Sequence, residues 1–374
     1  MLVGVVGPVC AGKSEVVRYL VERHGFTQLC VVGAATAVNG SAAHEADLVD
    51  ASSLTPGTVS ELDGSDETDV AALARRAQDA FGGTRTFATI AELCDYATHH
   101  WRGRHVVNRI DTIPRWDVVR KRPFFLLVGV EAPSSVRLQR WLARQKQQQQ
   151  TSDGAAGAAA FLRLEDERMF STGGSGQSLH SVLTGCHVRI INGGGDGQTD
   201  GLQGLHATIE RAGLLDAGRT RPSWDAYFMS LCDLAAQRSN CMKRRVGCLL
   251  VSDRRVVATG YNGTPRGVRN CNEGGCGRCN DNARCGSQLD TCLCLHAEEN
   301  ALLEAGRERI RSGHTILYCN TCPCLGCAKK IVQMGVHEVV YAQEYGMDSM
   351  TAALLREGGV HLRQFSQAET YFST

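Results

Sequence analysis

The 374-residue chain has almost no net charge. Its 40 Lys and Arg face 39 Asp and Glu, leaving +1. That balance argues against a dedicated nucleic-acid surface, which gathers basic residues on one face. Aromatic residues make up only 6%, so the stacking platforms that hold single strands are not suggested either. No apolar run is long enough to span a bilayer. The opening residues, Met1-Leu-Val-Gly-Val-Val, lack the basic flank and small-residue cleavage site of a secretory signal and read as a first β-strand. A cytoplasmic protein is expected, with the nucleus also open to it.

Cysteine is what the chain has in excess, with seventeen residues. Disulfides explain them poorly in a reducing compartment. Metal ligation explains them better, because many crowd between Cys241 and Cys327. Cys30, Cys94 and Cys186 stand alone and read as small buried apolar residues. The hydrophobic fraction of 43% is enough for ordinary cores, and the length suits two domains.

Apolar patterning divides the chain near residue 215. Before it, strand-like runs (Leu2–Val6, His105–Ile110, Phe124–Val130, His187–Ile191) alternate with helical spacing (Lys13–His24, Thr89–His100, Ser134–Arg144, Leu202–Ala212). Such alternation predicts a parallel sheet with helices on both faces. Gln147–Gln150 running into Gly154–Ala160, then Ser171–Ser178 and Gly193–Gly201, read as solvated insertions. A second domain is expected over 221–374, with helices at Ser223–Gln237, His296–Ala305, Cys324–Met334 and Met350–Arg356. Its strands are expected at Val246–Val251, Val256–Gly260, Thr315–Cys319, Glu338–Tyr341 and His361–Gln364.

His296-Ala-Glu298 and, downstream, Pro323-Cys324-Leu-Gly-Cys327 carry the strongest chemistry. A catalytic zinc needs three protein ligands and one open position for water. His296, Cys324 and Cys327 supply one nitrogen and two sulfurs, and the Cys-x-x-Cys spacing at a helix start lets both sulfurs reach one metal. The positive end of that helix favours thiolates. Zinc brings the pKa of its water towards neutrality. Glu298, two residues from the ligand, can face that water without ligating the metal and can move its proton. A structural zinc knuckle would be closed by four protein ligands.

At the other end of the chain, Gly7-Pro-Val-Cys-Ala-Gly12-Lys13-Ser14 fits Gly-x4-Gly-Lys-Ser between a strand and a helix. Backbone N–H groups of such a loop cradle phosphates, with Lys13 on the terminal ones and Ser14 on Mg²⁺, so ATP with Mg²⁺ is a candidate ligand. Asp111 is the best candidate for an acidic base after a strand, and no lid with catalytic arginines is evident. This part resembles small P-loop kinases of the dephospho-CoA and nucleotide kinase kind.

Arg221–Ser366 resembles the dCMP deaminases of the cytidine-deaminase-like superfamily. The resemblance rests on Arg238-Ser-Asn-Cys-Met-Lys-Arg-Arg-Val-Gly247, Gly260-Tyr-Asn-Gly-Thr-Pro265, His296-Ala-Glu-Glu-Asn-Ala-Leu302 and Tyr318-Cys-Asn-Thr-Cys-Pro-Cys324. The zinc motif itself is that of the nucleobase deaminases, and the chain is most similar to the long fungal-type enzymes with an N-terminal extension. The resemblance implies a three-layer α/β/α fold and hydrolysis of dCMP to dUMP and ammonia for thymidylate synthesis. It also implies a homohexamer with dCTP as activator and dTTP as inhibitor. Asn262 matches an asparagine that contacts the nucleotide. Arg238, Lys243, Arg244 and Arg245 are candidates for the 5′-phosphate. A second, structural zinc is implied at Cys241, Cys271 and Cys294, with Cys276 or Cys279 completing a tetrahedron; Cys292 stands beside them without a role. Two other functions compete. One is a deaminase of tRNA or single-stranded DNA, which should show a basic or aromatic strand-binding surface. The other is a P-loop nucleotide sensor with a binding-only deaminase fold, against which the intact Glu298 and zinc ligands argue.

Overall fold

The computed structural model describes residues 1–31, 84–108, 110, 113–147, 154–170, 178–193, 201–284, 287–288, 290–344 and 349–366. Asp111 lies outside these residues, as do most of the Ser171–Ser178 and Gly193–Gly201 segments. The chain forms two compact units, Met1–Thr220 and Arg221–Thr374. Among the described residues no helix is long and apolar enough to cross a membrane.

The first unit is built on six strands: β1 (Leu2–Val6), β2 (Thr27–Val31), β3 (Arg85–Phe87), β4 (His105–Asn108), β5 (Phe125–Glu131) and β6 (Val188–Ile191). Their order is β3-β2-β4-β1-β5-β6, and every pairing is parallel. The near-continuous apolar runs of β1 and β5 fit this, because a parallel sheet is covered on both faces. Alternate side chains feed two cores. Val3, Val5, Leu126 and Val128 pack with Val16 and Leu20 of helix Lys13–His24. Leu2, Val6 and Leu127 pack with Leu93 and Ala97 of helix Ile90–His99. The strand order reverses at β1, so the loop leaving β1 opens at the switch point where such sheets bind ligands.

Two expectations need correction here. Gly154–Ala160 is not a solvated loop but the first half of a helix, Gly154–Phe170. Alanine has the highest helix propensity, Phe161 is buried, and Glu165 forms an ion pair with the buried Arg137. Cys30 and Cys186 are only partly buried, whereas Cys94 is buried as expected.

The second unit has five strands: β7 (Gly247–Ser252), β8 (Arg255–Tyr261), β9 (Thr315–Thr321), β10 (Glu338–Gln343) and β11 (His361–Gln364). The order is β11-β10-β9-β7-β8. The β7 strand is antiparallel to β8 and β9, and β9, β10 and β11 are mutually parallel along the sheet. Helices Ala297–Arg309, Leu325–Met334 and Ser349–Glu357 cover one face through Ala301, Ile331 and Leu355. Helix Trp224–Ala236 covers the other through Phe228, Met229 and Cys232. This is a three-layer α/β/α arrangement. Gly260 permits a close approach in it: a Cβ there would stand 2.1 Å from the Ala297 carbonyl oxygen. Only a glycine lets the first turn of helix Ala297–Arg309 lie directly on β8.

Candidate active site

Two helix starts meet in the second unit. His296 is the N-cap residue of helix Ala297–Arg309 and Cys324 that of helix Leu325–Met334; neither side chain spends itself on a capping hydrogen bond. Both are therefore free to face a ligand. His296 Nδ1 lies 3.4 Å from Cys324 Sγ and 3.4 Å from Cys327 Sγ, and the three donor atoms form one group able to hold a metal ion. Zinc–sulfur and zinc–nitrogen bonds of about 2.3 and 2.0 Å in a tetrahedron place such donors about 3.5 Å apart, so the residues fit the ion. Cys327 is buried, Cys324 is exposed, and His296 is intermediate.

The electrostatics favour a bound cation. A hydrogen bond from Cys327, aided by the His296 ring, holds the Cys324 thiol down to about 3. Cys327 is pushed up in turn, chiefly by that same hydrogen bond. His296 is raised to about 9 by its bond to Cys324. A divalent ion would displace the protons these three groups share.

Glu298 is 4% exposed. Burial pushes its carboxyl up to about 7, against its own backbone N–H and the His296 ring, which favour the charged form. Its neighbours on the helix are tied elsewhere. Lys330 pairs with Glu299 at 2.7 Å, and Asn300 Nδ2 donates to the Tyr261 carbonyl at 2.9 Å. Paired backbone hydrogen bonds between Gly263 and Leu295, at 3.2 and 2.8 Å, hold the approach to His296.

Asn262 is buried, and its side chain closes a loop. Oδ1 accepts from Val246 N at 2.8 Å and Ser239 Oγ at 2.7 Å, while Nδ2 donates to the Arg244 carbonyl at 2.7 Å. One of its N–H bonds is left for a ligand. Among the candidate phosphate ligands, Arg238 and Arg245 are exposed, Lys243 donates to Asn282, and Arg244 donates to Gln343.

Six other described cysteines of this unit form a cluster separate from the His296 group. Cys241, Cys271, Cys279 and Cys294 form one potential metal-binding set, and Cys276, Cys279, Cys292 and Cys294 a second. Sequence reasoning left Cys292 without a role. Its Cys-x-Cys spacing to Cys294 is not that of a common finger, and the only available signal was its nearness to the other thiols.

In the first unit, Gly7 and Gly12 both have positive φ, 158° and 105°. A Cβ at Gly7 would meet the Val130 carbonyl oxygen at 2.1 Å, and one at Gly12 would meet Asn192 Nδ2 at 2.4 Å. Lys13 Nζ donates to the Gly7 and Pro8 carbonyls at 2.9 Å each, folding back over the loop. Ser14 is exposed in the first turn of the helix. Asn192 Nδ2 donates to the Ala11 carbonyl and Arg140 reaches both Cys10 and Asn192. The cavity beside them, of about 310 Å³, is lined by Gly12, Glu15, Arg140, Arg144 and Asn192 among others.

Comparison with known proteins finds relatives over nearly the whole chain. The family described as the cytidine and deoxycytidylate deaminase zinc-binding region matches residues 222–343. A deoxycytidylate deaminase of Schizosaccharomyces pombe is 42% identical over 369 residues, 98% of this chain and 98% of that one. One of Saccharomyces cerevisiae is 42% identical over 284 residues, 74% of this chain and 86% of that one. A crystal structure of the dCMP deaminase of cyanophage S-TIM5 with dCMP and dUMP is 30% identical. It covers 37% of this chain and 94% of its own, with a TM-score of 0.30.

Proposed function

The chain belongs to the deoxycytidylate deaminase family, its reaction is the hydrolysis of dCMP to dUMP and ammonia, and we propose the roles its residues play. The observation that carries the assignment is the buried Glu298 carboxyl, two residues past His296 beside the two thiols. His296, Cys324 and Cys327 hold the zinc. When bound, zinc supplies a Lewis acid that makes hydroxide available near neutral pH. Glu298 takes a proton from water as the oxygen adds to C4 of the cytosine ring, and delivers it to N3. It then takes the second proton of that oxygen and passes it to the amino nitrogen. The C4–N bond breaks, ammonia leaves, and a carbonyl remains at C4. Asn262 presents its remaining N–H to the nucleotide, and Arg238 with its neighbouring cations meets the 5′-phosphate.

We propose three further features. The upstream cysteines hold structural zinc. The Gly7–Ser14 loop of a P-loop kinase-like domain binds a nucleoside triphosphate with Mg²⁺. The enzyme is a homohexamer answering to dCTP and dTTP. A spectrophotometric assay of the purified chain with dCMP, CMP, dCTP, deoxycytidine and a single-stranded oligonucleotide tests the substrate. Turnover should be greatest with dCMP; a preference for deoxycytidine or an oligonucleotide would overturn it.

A further inference from the structure

Among the described residues, six cysteines form a largely buried cluster with no aliphatic or aromatic member. Cys271, Cys276, Cys279 and Cys294 are its buried part, and Cys241 and Cys292 pack against them. They come from three stretches: the residues after helix Trp224–Ala236, the loop 271–279, and the segment leading into His296. An apolar core is the usual reason for a loop to hold its shape; here sulfur takes that place.

Four sulfur–sulfur separations set the geometry. Cys241–Cys279 is 3.8 Å, Cys276–Cys292 is 4.0 Å, Cys279–Cys292 is 3.9 Å and Cys279–Cys294 is 4.0 Å. A disulfide holds its sulfurs about 2.0 Å apart. Four thiolates around one zinc at about 2.3 Å stand about 3.8 Å from one another. The separations are those of shared metal ligation. A single zinc takes four thiolates and would leave two of the six sulfurs idle. The two four-cysteine sets share Cys279 and Cys294, so two zinc ions bridged by those two sulfurs use all six.

Resting on the structural zinc proposed above, we infer that the six thiols hold a dinuclear zinc–thiolate cluster. Cys241 and Cys271 are the terminal ligands of one ion, Cys276 and Cys292 those of the other, and Cys279 and Cys294 bridge them. Small zinc modules use this six-cysteine stoichiometry. Six thiolates and two divalent ions leave two negative charges, and nearby donors face the terminal sulfurs. Met242 N points to Cys271 Sγ and Leu293 N to Cys276 Sγ, each at 3.4 Å. Arg278 Nη1 lies 3.7 Å from Cys292 Sγ. Such N–H···S contacts orient metal-bound thiolates and offset their charge. Cys294 stands two residues before His296, so the cluster also anchors the segment that delivers the catalytic histidine.

Metal analysis of the full-length protein tests this. Three zinc ions per chain are expected, falling to two in Cys292→Ser. In the cadmium-loaded protein, cadmium-113 NMR should show two all-sulfur resonances coupled through shared thiolates, a measurement that needs no variant. Two zinc ions in the wild type, unchanged in Cys292→Ser, would overturn the dinuclear cluster and leave a single structural zinc standing. One zinc would overturn both. Iron in place of zinc, or uncoupled cadmium resonances, would overturn the shared-ligand arrangement.

Discussion

The second unit holds two cysteine sites built to opposite plans. The His296 site mixes one nitrogen with two sulfurs, leaves Cys324 exposed, and sets a buried carboxyl beside the ligands. Among the described residues, the upstream cluster is all sulfur, largely buried, and holds no carboxylate. Three ligands with an open side suit a metal that must admit water and substrate; a closed thiolate shell suits one that only holds the fold. Ligand number and the acid placed beside it, more than cysteine count, separate chemistry from structure here.

Removing a ligand from each site sharpens that contrast most. Cys324→Ala should lose one zinc per chain and dCMP turnover down to background while the fold persists, as read by elemental analysis and circular dichroism. Cys271→Ala should instead lose metal and fold poorly, because structural zinc in small modules supplies about 10–16 kcal/mol of apparent folding free energy. Full metal and unchanged thermal stability in Cys271→Ala would break the comparison.

A smaller effect is expected where backbone geometry supports the site. Gly260→Ala would drive a Cβ into the Ala297 carbonyl and shift the turn between His296 and Glu298. A displacement of about 1 Å costs about 10²-fold in rate, so kcat should fall while metal content holds. Equal kcat would show that the helix start tolerates movement. The least effect on deamination is expected from the first unit. Lys13→Ala should abolish nucleoside triphosphate binding, measured calorimetrically, and leave basal dCMP turnover unchanged. Reduced basal turnover would show the first unit to be an allosteric partner.

Much of this organisation was legible before any coordinates. Parallel strands announce themselves through uninterrupted apolar runs, and β1 and β5 have them. The Thr27–Val31 and Arg85–Phe87 strands were not visible, since one is polar at two of five positions and the other is three residues long. Gly154–Ala160 was misread because low complexity obscured the helix propensity of alanine. The His296, Cys324 and Cys327 donors, which the fold brings together, carry a spacing that follows from metal chemistry. The side-chain bonds of Asn262 to Val246 and Arg244 have no such spacing. The sharing of Cys279 and Cys294 between two sets likewise depends on three chain segments converging, which no local pattern encodes.

In the proposed mechanism Glu298 moves protons and does not ligate the metal. Glu298→Gln, assayed for zinc content and dCMP turnover on the same preparation, tests it most directly. An unchanged metal complement is expected, with a kcat lower by at least about 10²–10⁴-fold, the contribution of a positioned acid–base group. Turnover within a few-fold of wild type, with zinc retained, would contradict it.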